Sequence, residues 1–182
     1  MRRTGRGARL VTAAALVAAA ALSRLAPHPP NFTPVAAMAL FAGATIEPAA
    51  LAFGVPLLAM LASDAVLGFH DQMPGVYLSF ALTVLLGRRF RRPARGRRLV
   101  LAAPAASLLF FVLTNLGVWA AGGLYPRTAA GLLECYVLAL PFFGSTILGD
   151  ALYAAALFGG YALLHRDGLG VRRVGAGRPA GD

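Results

Sequence analysis

The chain is short of the residues on which most soluble chemistry depends. Cys135 is the only cysteine in 182 residues, which excludes an intrachain disulfide and any multi-cysteine metal cluster. There are three histidines and seven acidic residues, and with no lysine present all 17 basic residues are arginine. No phosphate-binding glycine loop, nucleophile elbow or zinc-protease helix motif can be found, so the chain has no visible means of hydrolysing ATP. Charged residues make up only 13%, against roughly a quarter in soluble domains.

What is present instead is apolar. Hydrophobic residues make up 58% of the chain and the mean hydropathy is +0.69, a composition that points to the bilayer. The formal net charge of +10 raises nucleic acid as a partner. The arginines, however, lie in short blocks between apolar stretches, and anchoring beside anionic lipid accounts for them. No nucleic-acid partner and no cofactor are expected.

Six apolar segments can be drawn, at 10–26, 34–46, 49–67, 75–87, 99–121 and 136–164. Several fall below the ~20 residues of a perpendicular crossing. A single helix over 34–67 would measure about 51 Å, too long for a ~30 Å hydrocarbon core. Glu47 and Pro48 supply a break, because proline cannot continue the ladder and disfavours helix at the residue before it. The expected fold class is therefore all-α: a polytopic six-helix transmembrane bundle over residues 1–165, followed by a disordered glycine- and arginine-rich tail, 166–182.

Charge gives an independent check. Arg2, Arg3, Arg6 and Arg9 precede the first span, seven arginines between Arg88 and Arg98 follow the fourth, and Arg166, Arg172, Arg173 and Arg178 follow the last. Six spans put all three blocks on one face, as the positive-inside rule requires. Both termini are then cytoplasmic, and loops 26–33, 68–74 and 122–135 lie outside. The basic start and apolar core of the first segment also resemble a secretory signal. Because the rest of the chain is itself membrane-embedded, an uncleaved first helix is expected.

The outer loops hold the candidate chemistry. The first reads PHPPNFTP (27–34), the second contains His70, Asp71 and Gln72, and the third contains Tyr125, Arg127, Glu134 and Cys135. In the first, Thr33 is placed to cap the second helix and Pro34 to begin it. The other prolines hold the loop extended, leaving His28, Asn31 and Phe32 for recognition. Tyr77 and Tyr125 also suit an interfacial aromatic belt. Asp64 and Asp150 lie within spans, where an aspartate costs about 2.5–3.5 kcal/mol and so faces the protein interior. It then serves either function or structural pairing. Asn115 and Trp119 are one helical turn apart and share a face, available to a ligand or to a neighbouring helix. His28, His70 and Cys135 are the soft or borderline ligand candidates, without metal-motif spacing.

The segments PHPPNFTPVAAMALFAG, PLLAMLASDAVLGFH, VYLSFALTVLLGR and FFVLTNLGVWAAGGLYPRTAAGLLECYVLALPFFGSTILGDALY together resemble a family of uncharacterised small bacterial integral membrane proteins, over about residues 24–160. More distantly the chain is similar to the substrate-binding S components of energy-coupling-factor vitamin transporters. That resemblance implies a six-helix protein of the bacterial inner membrane that captures a vitamin-like molecule through its outer loops. It also implies a transmembrane coupling subunit and ATPases as partners, with the small-residue stretch AAALVAAAALS of the first helix as the docking face. Some solitary members handle cobalamin, and His28, His70 and Cys135 make cobalamin one candidate substrate.

The expected function is thus a transport protein rather than an enzyme. Its substrate-binding residues are His28, Asn31, Phe32, Asp64, His70, Asp71, Asn115, Trp119, Tyr125 and Asp150. The alternatives are an intramembrane enzyme using Asp64, His70, Asp71 and Asp150 on a lipid or isoprenoid, and an accessory or scaffold membrane protein.

Overall fold

A computed structural model describes residues 2–90, 96–121 and 123–165. The described residues form six helices and no strand: α1 (Arg2–Ser23), α2 (Val35–Thr45), α3 (Ala49–Leu67), α4 (Met73–Arg89), α5 (Gly96–Ala121) and α6 (Ala129–Leu164). Within α1, α3, α5 and α6 lie stretches long and apolar enough to cross a membrane. Their outer flanks are rich in large apolar side chains, among them Leu58, Val66 and Leu148, each more than 60% exposed. Surfaces of this kind suit hydrocarbon, whereas a water-soluble monomer keeps its exposed apolar patches small. Arg91, Arg92, Arg95 and the tail 166–182, expected to be disordered, lie outside the described residues.

The short α2 sits at the centre. It has 11 residues, about 16 Å of helix, too little to cross a ~30 Å core by itself. Every residue from Val35 to Gly43 is buried, and α2 touches all five other helices. A helix apolar all round has no solvent face to present, so only an interior position suits it. Around it, α1 turns inward the stripe Ala13, Val17, Ala20 and Ala21, which is spaced at one and two helical turns.

Small residues set how closely the helices approach. At the crossing of α2 and α4, a Cβ on Gly43 would land on the carbonyl oxygen of Val84. One on Gly87 would land on the carbonyl oxygen of Leu40. The two backbones are therefore in direct contact, as in helix pairs that associate through small residues. Gly75 of α4 and Gly117 of α5 form a second close pair, a Cβ on either falling 3.5 Å from the Cα of the other.

Three boundaries bear on the site. The break at Glu47–Pro48 occurs where proline requires it, between Thr45 and Ala49. The other two differ from the sequence expectation. At the start of α2, Pro34 rather than Thr33 is the capping position and no side chain of the loop caps the helix. At the start of α6, Thr128 accepts a hydrogen bond from the Gly131 amide at 3.1 Å, and the helix begins at Ala129. The third loop, expected over 122–135, therefore ends at Thr128, and Glu134 and Cys135 are helical. With 36 residues α6 is about 54 Å long.

Candidate functional site

The two aspartates within the apolar helices, Asp64 and Asp150, are each bound by groups from other parts of the chain. Asp150 is 2% exposed. One carboxylate oxygen accepts the Ala37 amide at 3.1 Å and the other accepts the Ser107 hydroxyl at 2.7 Å. Ala37 lies in the first turn of α2, whose amides have no partner within the helix. A carboxylate from α6 thus caps α2 in place of a loop residue and matches the positive end of its dipole. The chain leading into α2 follows the same surface, since a Cβ on Gly149 would meet Phe32 Cα and Thr33 N at 3.3 Å. PHPPNFTP therefore runs down into the bundle against α6, and Phe32 packs its ring against Tyr153 with centroids 6.1 Å apart.

Asp64 belongs to a second cluster. Arg24, just beyond α1, places its guanidinium 2.7 Å from one Asp64 oxygen, and the Tyr77 hydroxyl donates to the other at 2.8 Å. Arg24 also donates to the Ser63 hydroxyl and approaches the Met60 sulfur at 3.3 Å. These contacts join the end of α1 to α3 and α4. A buried ion pair is stable when hydrogen bonds satisfy its remaining lone pairs, and here they do.

Neither cluster opens onto the cavity of the bundle. That cavity, of about 360 Å³, lies between α5 and α6 and beneath the three loops at one end of the helices. Each loop region sends one polar residue to it: Asn31 from the first, Gln72 from the turn before α4, and Tyr125 from the third. Thr114 and Asn115 line it from α5, Cys135 and Thr146 from α6. Phe110, Phe111, Phe142 and Phe143 line the same space, with the Phe111 and Phe143 rings in contact, their centroids 4.4 Å apart. The Gly75–Gly117 approach brings the start of α4 close enough for Gln72 and Val76 to join the wall.

Local geometry fixes several of these groups. Asn31 has φ 60°, a left-handed conformation that asparagine tolerates better than most residues. It sits in a turn closed by the Phe32 amide donating to the Pro29 carbonyl at 3.0 Å. The Trp119 indole donates to the Pro126 carbonyl at 2.9 Å and holds the third loop over α5. Cys135 is buried, with its sulfur 3.5 Å from the Asn115 carbonyl.

Of the ten residues proposed from sequence, the structure brings Asn31, Asn115 and Tyr125 to the cavity. Asp64 and Asp150 occupy the separate clusters above. His28, His70 and Asp71 are exposed and do not line the cavity. Phe32 and Trp119 hold the loops that frame it. Among the described residues no three histidine, cysteine or acidic side chains gather closely enough to hold a metal ion. Sequence reasoning passed over the two Phe-Phe pairs, Thr146 and Gln72 as wall residues. The signal was there in spacing: Cys135, Ala139, Phe142 and Thr146 form one helical stripe, and Phe110, Thr114 and Val118 another.

Among the described residues, fold and site together define an all-helical protein with four helices of membrane-spanning length and a cavity beneath its loops. Residues 5–170 match the model of DUF6580, a family of unknown function, and the chain belongs to that family. No curated protein and no solved structure matches it.

Proposed function

We propose that this protein is the substrate-binding component of a membrane transport system, capturing a small vitamin-like molecule at the outer face of the bacterial inner membrane. The observation that carries the reading is the convergence of Asn31, Gln72 and Tyr125, one from each loop region at the same end, on a single cavity. A stiff connector or a scaffold has no need of three loops delivering polar groups to one space. A volume of about 360 Å³ falls within the ~300–1,000 Å³ usual for small-molecule sites. The two aspartates an intramembrane enzyme would use are already engaged by separate partners, which favours binding over catalysis.

The charge pattern orients the bundle with both termini cytoplasmic. The chain carries no ATP-binding motif, so a transmembrane coupling subunit and ATPases would supply energy. Purification from the native host followed by mass spectrometry of released small molecules tests the reading, together with uptake measured in a deletion strain. A bound molecule whose uptake falls on deletion supports it. An empty protein and undiminished uptake of all small molecules tested defeat it.

A further inference from the structure

Resting on that substrate-binding reading, we infer that the cavity selects an uncharged planar ring bearing adjacent hydrogen-bond donors and acceptors, such as an aromatic amide, and rejects the corresponding carboxylate.

The first ground is charge. Among the described residues no aspartate, glutamate, arginine or histidine lines the cavity. Arg24 is committed to Asp64, and Asp150 to Ala37 and Ser107; Arg88, whose Nη1 is buried without a hydrogen-bond partner, stands at the opposite end of α4 from Gln72 and does not line the cavity. A ligand charge buried between apolar helices without a counter-charge carries a large desolvation cost.

The second ground is the arrangement of polar groups. Asn31, Gln72 and Asn115 present carboxamides, each of which both donates and accepts. Asn115 spends one donor on the Phe111 carbonyl at 2.8 Å, which leaves its oxygen for a ligand. The side chains of Asn31 and Gln72 and the Tyr125 hydroxyl make no hydrogen bond among the described residues. Such groups pair best with a partner that also offers both donor and acceptor. Phe110, Phe111, Phe142 and Phe143 supply the apolar wall, on which a planar ring gains stacking as well as burial.

The third ground is size. A space of about 360 Å³ holds a compact ring system and is too small for a corrinoid. Of the three residues that made cobalamin a candidate, only Cys135 lines the cavity.

The test is native mass spectrometry of the detergent-solubilised full chain, offered equimolar matched pairs: benzamide with benzoate, nicotinamide with nicotinate, and indole-3-acetamide with indole-3-acetate. The amide adduct is expected to exceed that of its acid by about tenfold, corresponding to about 1.4 kcal/mol. Ala139→Trp, which fills the cavity, should abolish the adduct, with Ala139→Leu as the milder variant should the first fail to fold. Gln72→Arg should shift the ratio toward the acid. Acids binding as well as amides, adducts surviving in both Ala139 variants, or no amide adduct at all would overturn the inference. A charged molecule co-purifying in the cavity would also overturn it while leaving the transport reading intact. An empty protein with normal uptake on deletion would instead remove the transport reading itself.

Discussion

The Asp150 carboxylate accepts the backbone amide of Ala37 at 3.1 Å across 113 residues of sequence, and it is the only side chain that caps the first turn of α2 among the described residues. Removing it takes the capping acceptor from the Ala37 amide and leaves the Ser107 hydroxyl only the Ala103 carbonyl, at 3.1 Å. Asp150→Ala should therefore destabilise the bundle by about 2–4 kcal/mol, from the loss of a cap and of buried hydrogen bonds. Ser107→Ala, which leaves the cap in place, should cost about 1 kcal/mol. Thermal unfolding in detergent of both variants checks the ranking, and equal effects would contradict the capping role.

Glycines at the α2–α4 crossing should behave oppositely to glycines with open surroundings. Gly87→Ala drives a methyl into the Leu40 carbonyl and should destabilise by about 1–3 kcal/mol. Gly54, within α3, has open space where a Cβ would stand, with no neighbour within 4 Å. Gly54→Ala should therefore stabilise by about 0.5–1 kcal/mol through helix propensity. Opposite shifts in melting temperature are the expected result.

The Arg24–Asp64 pair should show strong coupling. Either Arg24→Met or Asp64→Leu leaves a buried or half-buried charge without its partner and should cost about 3–5 kcal/mol. The double variant should cost much less than the sum. Tyr77→Phe, which removes one donor from Asp64, should cost about 1 kcal/mol. Additive effects in a double-mutant cycle would show that the pair is not coupled.

The motif PHPPNFTP divides into binding and non-binding residues. His28 is exposed and lies off the cavity wall, whereas Asn31 lines it. His28→Ala should leave ligand affinity unchanged. Asn31→Gly keeps the left-handed backbone accessible while removing the carboxamide, and should weaken binding about tenfold. Isothermal titration with the co-purified ligand separates the two.

Much of the helical layout was legible because it rests on local chemistry. Pro48 ends the segment before α3 whatever surrounds it, and the apolar stretches report burial directly. The start of α6 was not legible, because the glycines and proline of 122–126 read as a loop while the capping role of Thr128 depends on one hydroxyl. The role of Asp150 was hidden for a different reason. An aspartate in an apolar helix signals a buried partner, but nothing local identifies an amide 113 residues earlier. At the site, Asn31, Asn115 and Tyr125 were visible as polar residues in apolar or loop settings. The Phe-Phe pairs were not, because an aromatic facing a cavity and one facing the core have the same sequence signature. Asp71 and His70 drew attention by their charge, while their neighbour Gln72 is the one that reaches the wall.

The central position of α2 has a consequence for biosynthesis. Its first turn is completed by a residue made more than a hundred positions later, so a nascent chain that has inserted its first five helices still holds an uncapped amide in its interior. The bundle closes only when α6 arrives, and α2 and the last helix of the polypeptide mature as one cooperative unit.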